Sequence, residues 1–193
     1  MKMRTQFPLF CSHLDLAHSY WKALICPKGQ DMALDATCGQ GYDSVFLASL
    51  GLRKLFIFDI QKKALEITKS KLENCSIELS FFELCHSKID TVIPKESLKL
   101  IVYNLGYLPG SDKQIKTVPK TTLESVQTAL DLLQPGGAIS ITCYPGHEEG
   151  ALEENALVAF SKSLASSSWN VCYHQFLNRK AAPSLLLIQK HSS

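Results

Sequence analysis

The chain has 193 residues, of which 46% are apolar and 20% are charged, and its formal net charge is +2. This length suits one domain over residues 1–193 with a full core, and the composition is ordinary for a globular protein. The small net charge excludes a strongly basic nucleic-acid coat protein but leaves room for a local basic patch.

The hydrophobic pattern predicts helices and strands that alternate along the chain. In chain order, it predicts a helix over 9–25, a strand over 32–36, a helix over 44–50, a strand over 54–58, a helix over 62–72, strands over 77–82 and 98–103, a helix over 121–133, a strand over 138–143, a helix over 148–166 and a closing strand pair over 169–176 and 184–189. Thr121 and Glu124 stand at the spacing of a capping box, and residues 134–137 are predicted to end that helix.

Alternation of this kind predicts an α/β protein with a parallel sheet and helices on both faces. Residues 1–30 are expected to form a helical segment packed on it. In such sheets ligands bind beyond the carboxyl ends of the strands. Four loops are therefore expected to meet at one place, namely those after the strands ending at 36, 58, 82 and 103. Candidate functional residues are sought in these loops.

The seven cysteines are odd in number and include no Cys-x-x-Cys pair. Free thiols in a reducing cytosol are therefore expected, rather than a disulfide framework or a zinc knuckle, and no metal site is predicted. No segment has the pattern of a signal peptide or a membrane span, so a cytoplasmic protein without a membrane partner is expected.

The first loop runs from Asp35 through Thr37 to Asp43 and contains Gly39 and Gly41. The two glycines let the backbone turn sharply and approach a ligand closely. Asp43 stands where a nicotinamide-binding loop has its third glycine, and a carboxylate there suits a ligand with an amino group better than a pyrophosphate. The alternative is a plain tight turn before a helix.

The second and third loops contribute polar groups to the same edge of the sheet. Asp59 ends the second strand, where an acidic residue accepts hydrogen bonds from ribose hydroxyls, and Gln61 follows it. The alternative for Asp59 is a cap of the next helix. His86 lies in the third loop, either beside a bound adenine or as a structural histidine.

The fourth loop begins with the segment Asn104-Leu105-Gly106-Tyr107-Leu108-Pro109-Gly110, directly after a buried strand. An amide, an aromatic ring and a proline replace the usual polar turn. Such a turn can hold a planar or amine-bearing group against a row of carbonyl groups. The Asn104 side-chain oxygen and the Leu105 carbonyl are acceptors for an amine, and Tyr107 can stack on a base.

The four loops resemble those of class I S-adenosylmethionine-dependent methyltransferases. The strings at 35–43, 58–61, 104–110 and 144–147 (Tyr-Pro-Gly-His) occur in the order found in the YtqB-like (MnmM) family, first labelled rRNA methylases. This resemblance runs from about residue 17 to the end of the chain. It implies a Rossmann-like, mostly parallel seven-stranded sheet with an antiparallel C-terminal strand.

The resemblance also implies S-adenosyl-L-methionine as cofactor and an amine of tRNA as acceptor. The residues that would hold the cofactor lie in the first three loops and are Asp35, Thr37, Gly39, Gln40, Gly41, Asp43, Asp59, Gln61 and His86. The family usually has Asn and His around the second glycine, whereas this chain has Gln40 and Tyr42. The implied reaction methylates the 5-aminomethyl group of (2-thio)uridine in the tRNA anticodon stem-loop.

Asn104, Leu105 and Tyr107 would face the amine, and His147 is a candidate proton acceptor whose alternative role is a cap of the following helix. Cationic residues near the site can contact RNA phosphates, with a merely solvated face as the alternative; they are Lys113, Lys116, Lys120 and Arg179.

Other functions stay open at this point. They are methylation of an rRNA base or a small-molecule amine, a nicotinamide-dependent oxidoreductase and a non-catalytic RNA-binding protein. The sequence does not indicate an oligomeric state, and a homodimer is compatible with it.

Overall fold

The computed structural model describes residues 12–26, 29–106 and 116–192. Its helices are α1 (His13–Leu24), α2 (Tyr42–Ala48), α3 (Lys62–Lys71), α4 (Pro119–Leu132) and α5 (Glu148–Lys162), with a short 3₁₀ segment at His86–Thr91. Its strands are β1 (Met32–Asp35), β2 (Lys54–Asp59), β3 (Glu78–Glu83), β4 (Leu98–Asn104), β5 (Leu133–Cys143), β6 (Trp169–His174) and β7 (Ser184–Lys190).

Within the described residues the strands form one seven-stranded sheet in the order β3-β2-β1-β4-β5-β7-β6. The first five of these strands are mutually parallel, and β7 lies antiparallel between β5 and β6. Because the parallel strands point the same way, their carboxyl ends meet at one edge. Asp35, Asp59 and Asn104 are the last residues of β1, β2 and β4 and therefore lie at that edge.

The alternation of side chains along each strand divides the core between the two faces of the sheet. Leu34 of β1 and Ile101 of β4 belong to one apolar cluster, whereas their neighbours Ala33 and Leu100 belong to the other. Both faces are covered by helices, which explains why the central strands are apolar on both sides. Helix α1 packs on the second face, where Trp21 is buried.

Two local predictions are wrong at the borders of α4. The helix begins at Pro119 with Val118 as its N-cap, and no side chain caps it, so the capping box predicted at Thr121 does not exist. The Thr121 hydroxyl instead donates to the carbonyl of Val118 at 3.3 Å. Proline suits the first helical position because its fixed φ matches the helix and its missing N–H has no partner there.

The second error concerns the start of β5. Helix α4 ends at Leu132, just before residues 134–137, as predicted, but β5 begins at Leu133 rather than at 138 and includes these residues. The pairing of β5 with β4 is irregular between Leu98 and Leu100, and Gly136 has a positive φ of 71° within this irregular start. Helix α5 ends at Lys162, before the predicted end at 166.

Helix α1 begins at His13, after an N-cap at Ser12 whose hydroxyl accepts from the Asp15 N–H at 3.2 Å. The predicted helical residues 9–11 lie outside the described residues. Among the residues that are described, no helix is long and apolar enough to cross a membrane. The cysteines in this part of the chain are free thiols.

Candidate active site at the carboxyl ends of the strands

A cavity of about 570 Å³ opens at the carboxyl edge of the sheet. The loops after β1, β2, β3, β4 and β5 all contribute to its wall. The predicted site residues that line it are Thr37, Gly39, Gln40, Asp43, Asp59, Gln61, His86, Asn104, Leu105, Lys116 and His147. The topology therefore brings together residues that are up to about one hundred positions apart in the sequence.

Gly41 serves packing rather than the cavity itself. Its φ is 76°, and a Cβ atom there would lie 2.6 Å from the Thr68 hydroxyl of α3. Gly39 also has a positive φ, of 50°, and it lines the cavity. The glycine loop thus combines a sharp turn with a close approach of α2 to α3, and both need glycine.

Asp59 holds the glycine loop against the end of β2. Its Oδ2 accepts from the Gly39 N–H at 3.0 Å, and its Oδ1 accepts from the Gln61 N–H at 2.9 Å. Burial raises the pKa of Asp59, and these backbone N–H groups oppose that rise. Each carboxylate oxygen has two lone pairs, so both oxygens keep acceptor capacity for a pair of ligand hydroxyls.

Asp35 lies behind the cavity wall, where it is 1% exposed. The Ser44 hydroxyl donates to it at 2.5 Å, and the Thr37 N–H donates at 3.3 Å. Burial, followed by the charge of Asp43, raises the pKa of Asp35 to about 7. Asp35 does not line the cavity, and these contacts give it a supporting role beneath the first loop.

Asp43 connects the first loop to β4 and to α1. Its Oδ2 accepts from the Asn104 Nδ2 at 3.1 Å, and its Oδ1 lies 3.0 Å from the His18 Nε2. The His18 ring is stacked on Phe46, with centroids 3.8 Å apart. Asp43 therefore orients two neighbouring side chains as well as facing the cavity.

This contact sets the orientation of the Asn104 amide. An ionised carboxylate only accepts hydrogen bonds, so the NH₂ group of Asn104 faces Asp43 and the amide oxygen points elsewhere. The backbone N–H of Asn104 donates to the Thr37 hydroxyl at 2.7 Å. Thr37 thus ties the end of β4 to the loop after β1.

Tyr144 lines the cavity and links it to His13 of helix α1. The Tyr144 hydroxyl lies 3.1 Å from the His13 Nε2. His13, His18 and Tyr144 are absent from the site predicted by sequence reasoning. The spacing of the histidines on α1 does not indicate their partners, because these lie far along the chain. Tyr144 could have been suspected only as part of the Tyr-Pro-Gly-His string.

The loop after β4 is closed at its base. The Gly106 N–H donates to the Thr117 hydroxyl at 2.9 Å, and the Thr117 N–H donates to the Gly106 carbonyl at 2.9 Å. The Thr117 hydroxyl in turn donates to Glu153 at 2.9 Å, and the Thr122 hydroxyl donates to the other Glu153 oxygen at 2.5 Å. Burial raises the pKa of Glu153, and the two threonines oppose the rise. Tyr107 and Lys113, both predicted in this loop, lie outside the described residues.

His147 has the structural role that the sequence offered as its alternative. It is the N-cap of α5, and its Nδ1 accepts from the Gly150 N–H at 3.0 Å. The same Nδ1 lies 3.5 Å from the Oε2 of Glu149. The structure thus shows the capping role of His147, and its role as proton acceptor remains a prediction.

His86 is buried in the wall after β3 and packs edge to face on Tyr103. Its Nδ1 has no hydrogen-bond partner among the described residues, and burial lowers its pKa to about 4. A buried ring nitrogen without a partner at a cavity wall suits a ligand that offers a polar edge.

The predicted RNA contacts are spread unevenly around the cavity. Lys116 lines it and forms an ion pair with Glu149 at 2.8 Å. Lys120 is exposed near the start of α4. Arg179 is exposed outside the lining and packs on the Phe176 ring at 4.3 Å. In the described ranges no group of three or more His, Cys, Asp or Glu side chains is arranged to hold a metal ion.

The strand order, with β7 antiparallel between β5 and β6, and a cavity bearing Asp59 at the end of β2 define a class I methyltransferase. The family model described as "Putative rRNA methylase" matches residues 55–190, and the chain belongs to this family. The fold class and the family predicted from the sequence are thereby confirmed.

Three relatives are similar to most of this chain. A protein of Arabidopsis thaliana named tRNA (mnm(5)s(2)U34)-methyltransferase, chloroplastic, is 37% identical over 192 residues, which cover 93% of this chain and 69% of the relative. A Clostridium thermocellum structure that shares the family description has a TM-score of 0.87 at 35% identity and covers 93% of this chain and 98% of its own. A Streptococcus mutans methyltransferase structure in complex with SAH has a TM-score of 0.84 at 31% identity, with 97% and 99% covered.

Proposed function

We propose that this chain uses S-adenosyl-L-methionine to methylate the exocyclic amine of 5-aminomethyl-(2-thio)uridine at the wobble position of tRNA. The observation that carries the proposal is the placement of Asn104. Its amide NH₂ is held by Asp43, so its oxygen remains the acceptor in a cavity that also contains Asp59. An acceptor without its own charge suits an amine that must present a lone pair.

The donor and acceptor groups in the cavity fit this cofactor. Asp59 has acceptor capacity for the two ribose hydroxyls, and the unpartnered His86 Nδ1, with Gln61 nearby, suits an adenine edge. Gly39, Gln40 and Asp43 would hold the amino-acid part. When bound, the cofactor supplies an activated methyl group, and the protein supplies orientation and electrostatics.

The chain's own residues orient the acceptor amine. The Asn104 oxygen and the Leu105 carbonyl accept its hydrogen bonds, and Tyr107, which lies outside the described residues, is the ring that we propose for stacking on the uracil. Holding two reactants in line in this way contributes roughly 7–11 kcal/mol at most. The mutual hydrogen bonds of Gly106 and Thr117 fix the base of the loop that presents these groups.

The anticodon stem-loop reaches the cavity across a basic rim in this proposal. Lys116 lines the cavity and Lys120 is exposed on α4, and we propose that they contact phosphates together with Lys113 and Arg179. The family name and the name of the Arabidopsis relative support an RNA acceptor. Free thiols in the described residues agree with a reducing compartment such as the cytoplasm. We also propose that residues 1–193 form one domain, which acts alone or as a homodimer.

Nucleoside mass spectrometry tests this function directly. In cells that lack the protein, tRNA should lose 5-methylaminomethyl-(2-thio)uridine and gain the 5-aminomethyl form. The purified protein should restore the methyl group with S-adenosylmethionine. The rRNA of the same cells serves as the comparison, because an altered rRNA nucleoside with an unchanged tRNA profile would move the acceptor to rRNA.

A further inference from the structure

Tyr144 and His13 form a hydrogen-bonded pair that the proposed function leaves unexplained. The Tyr144 hydroxyl lies 3.1 Å from the His13 Nε2, and the two rings meet edge to face with centroids 5.5 Å apart. Tyr144 lines the cavity, whereas His13 lies on α1 and is not among the residues that line it. The phenol oxygen therefore links the imidazole to the cavity.

The surroundings keep both groups in the protonation states that a proton relay needs. Burial raises the pKa of Tyr144 to about 12, so the phenol keeps its proton. A hydrogen bond that the Asn104 amide donates to the phenol oxygen opposes this rise. Burial lowers the pKa of His13 below its ordinary value, so its imidazole is neutral near pH 7. The charges of Asp43 and of Asp15 on α1 oppose this shift and would stabilise the imidazolium once it forms.

Three other ionisable side chains of the cavity, Asp43, Asp59 and His147, already accept hydrogen bonds from the protein. Asp43 accepts from His18 and Asn104, and Asp59 accepts from two backbone N–H groups. The Nδ1 of His147 accepts from the N–H of Gly150. An aliphatic ammonium, on the other hand, has to lose a proton before its nitrogen can attack a methyl group.

We propose that Tyr144 and His13 relay this proton out of the cavity, an inference that rests on the proposed function. An N–H bond of the ammonium breaks as the Tyr144 oxygen gains the proton, and the Tyr144 O–H bond breaks as the His13 Nε2 gains one. Tyr144 ends neutral, the positive charge moves to the His13 imidazolium, and the amine keeps the freed electron pair. His13 is half-buried, so its imidazolium can release the proton to water.

The first test reads the pair without any turnover. If Tyr144 donates to Nε2, neutral His13 carries its proton on Nδ1, which ¹⁵N NMR of the imidazole distinguishes from the other tautomer. In Tyr144→Phe the donor is lost, and His13 should shift toward the Nε2–H tautomer. A wild-type His13 that is protonated on Nε2 at neutral pH would overturn the relay.

The second test measures single-turnover methylation of tRNA containing 5-aminomethyluridine against pH. Tyr144→Phe and His13→Gln should lower the rate near pH 7 on the order of 100-fold. The loss should shrink as the pH rises, because the amine then loses its proton to solvent. Binding of S-adenosylmethionine, measured by calorimetry, should change by less than roughly threefold, which is about 0.6 kcal/mol.

The chain supplies a matched control in the pair Tyr20 and His174. Their hydroxyl and Nε2 also lie 3.1 Å apart, with ring centroids 5.5 Å apart, but the pair is exposed and outside the cavity lining. Tyr20→Phe and His174→Gln should leave the rate and its pH profile unchanged.

The outcomes separate the relay from the proposed function. Rates in Tyr144→Phe and His13→Gln that equal the wild type, or that fall by one factor at every pH, would overturn the relay alone. A wild type that is inactive on this tRNA would overturn the proposed function and the relay together.

Discussion

The carboxamide of Asn104 donates through Nδ2 to the Oδ2 of Asp43 at 3.1 Å, and this one bond joins the end of β4 to the start of α2. The sequence suggested that Asp43 binds the cofactor and that Asn104 binds the acceptor. The structure shows the two side chains in contact, so they form one unit. His18 completes it by approaching the other oxygen of Asp43 at 3.0 Å.

Asn104→Asp should remove methyl transfer while the protein still binds its cofactor. The change replaces an N–H donor by a second carboxylate oxygen facing Asp43, and like charges at this distance repel strongly. We expect the single-turnover rate to fall on the order of 100-fold or more, equivalent to about 2.7 kcal/mol. The affinity for S-adenosylmethionine should change much less.

Asn170→Asp is the matched control, because Asn170 is exposed on β6 away from the cavity. It should retain the wild-type rate. A rate in Asn104→Asp that equals that of Asn170→Asp would refute the role of the amide.

Asp59→Asn should weaken cofactor binding more than it slows the chemical step. An amide nitrogen in place of either oxygen would face the N–H of Gly39 or of Gln61, donor against donor, and would lose an acceptor for the ribose. We expect the dissociation constant for S-adenosylmethionine to rise roughly 10- to 100-fold, from the loss of one or two hydrogen bonds to a charged group. Calorimetry measures it, and Asp90→Asn, at an exposed carboxyl, is the control. Unchanged affinity would remove Asp59 from the cofactor site.

Asp35→Asn should change how stability depends on pH. The pKa of Asp35 is raised from 3.8 to about 7 by burial, so the folded state holds this proton more tightly than the unfolded state. Its contribution to the free energy of unfolding is therefore full below the unfolded pKa and is lost as the pH rises through about 7.

Urea unfolding between these pH values measures this contribution. The variant should gain stability relative to the wild type as the pH rises, by an amount on the order of a few kcal/mol. Asp90→Asn should follow the wild-type curve. Parallel curves for Asp35→Asn and the wild type would show that folding does not raise the pKa of Asp35.

Lys116→Glu should weaken tRNA binding and leave cofactor binding nearly unchanged. Lys116 lines the cavity, and its partner Glu149, whose pKa the lysine lowers, would then face a second carboxylate. Loss of one phosphate contact reduces the slope of log K against log salt by about 1. The measurement is a salt titration of tRNA affinity beside calorimetry with S-adenosylmethionine.

Lys95→Glu is the control, since Lys95 also forms an ion pair, with Asp131 at 2.9 Å, but is more exposed and does not line the cavity. Equal losses of tRNA affinity in both variants would assign the effect to net charge rather than to a contact.

Much of the fold follows from local pattern. Short apolar runs separated by amphipathic helices require a sheet covered on both faces, and this places the ends of β1, β2 and β4 at one edge. Asp59 and Asn104 were predictable for that reason. The start of α4 was not, because the Thr121 pattern competes with Pro119, and proline at the first helical position prevailed.

The sequence by itself determined the class of fold, the family and the loops that bear function, since these depend on periodicity and on motifs of a few consecutive residues. Only the tertiary structure decided which side chains meet inside the cavity. His13 and Tyr144 are 131 positions apart, and Glu153 reaches Thr117 across the packing of α5 on α4. Such contacts depend on how helices dock on the sheet, and no local spacing encodes that geometry.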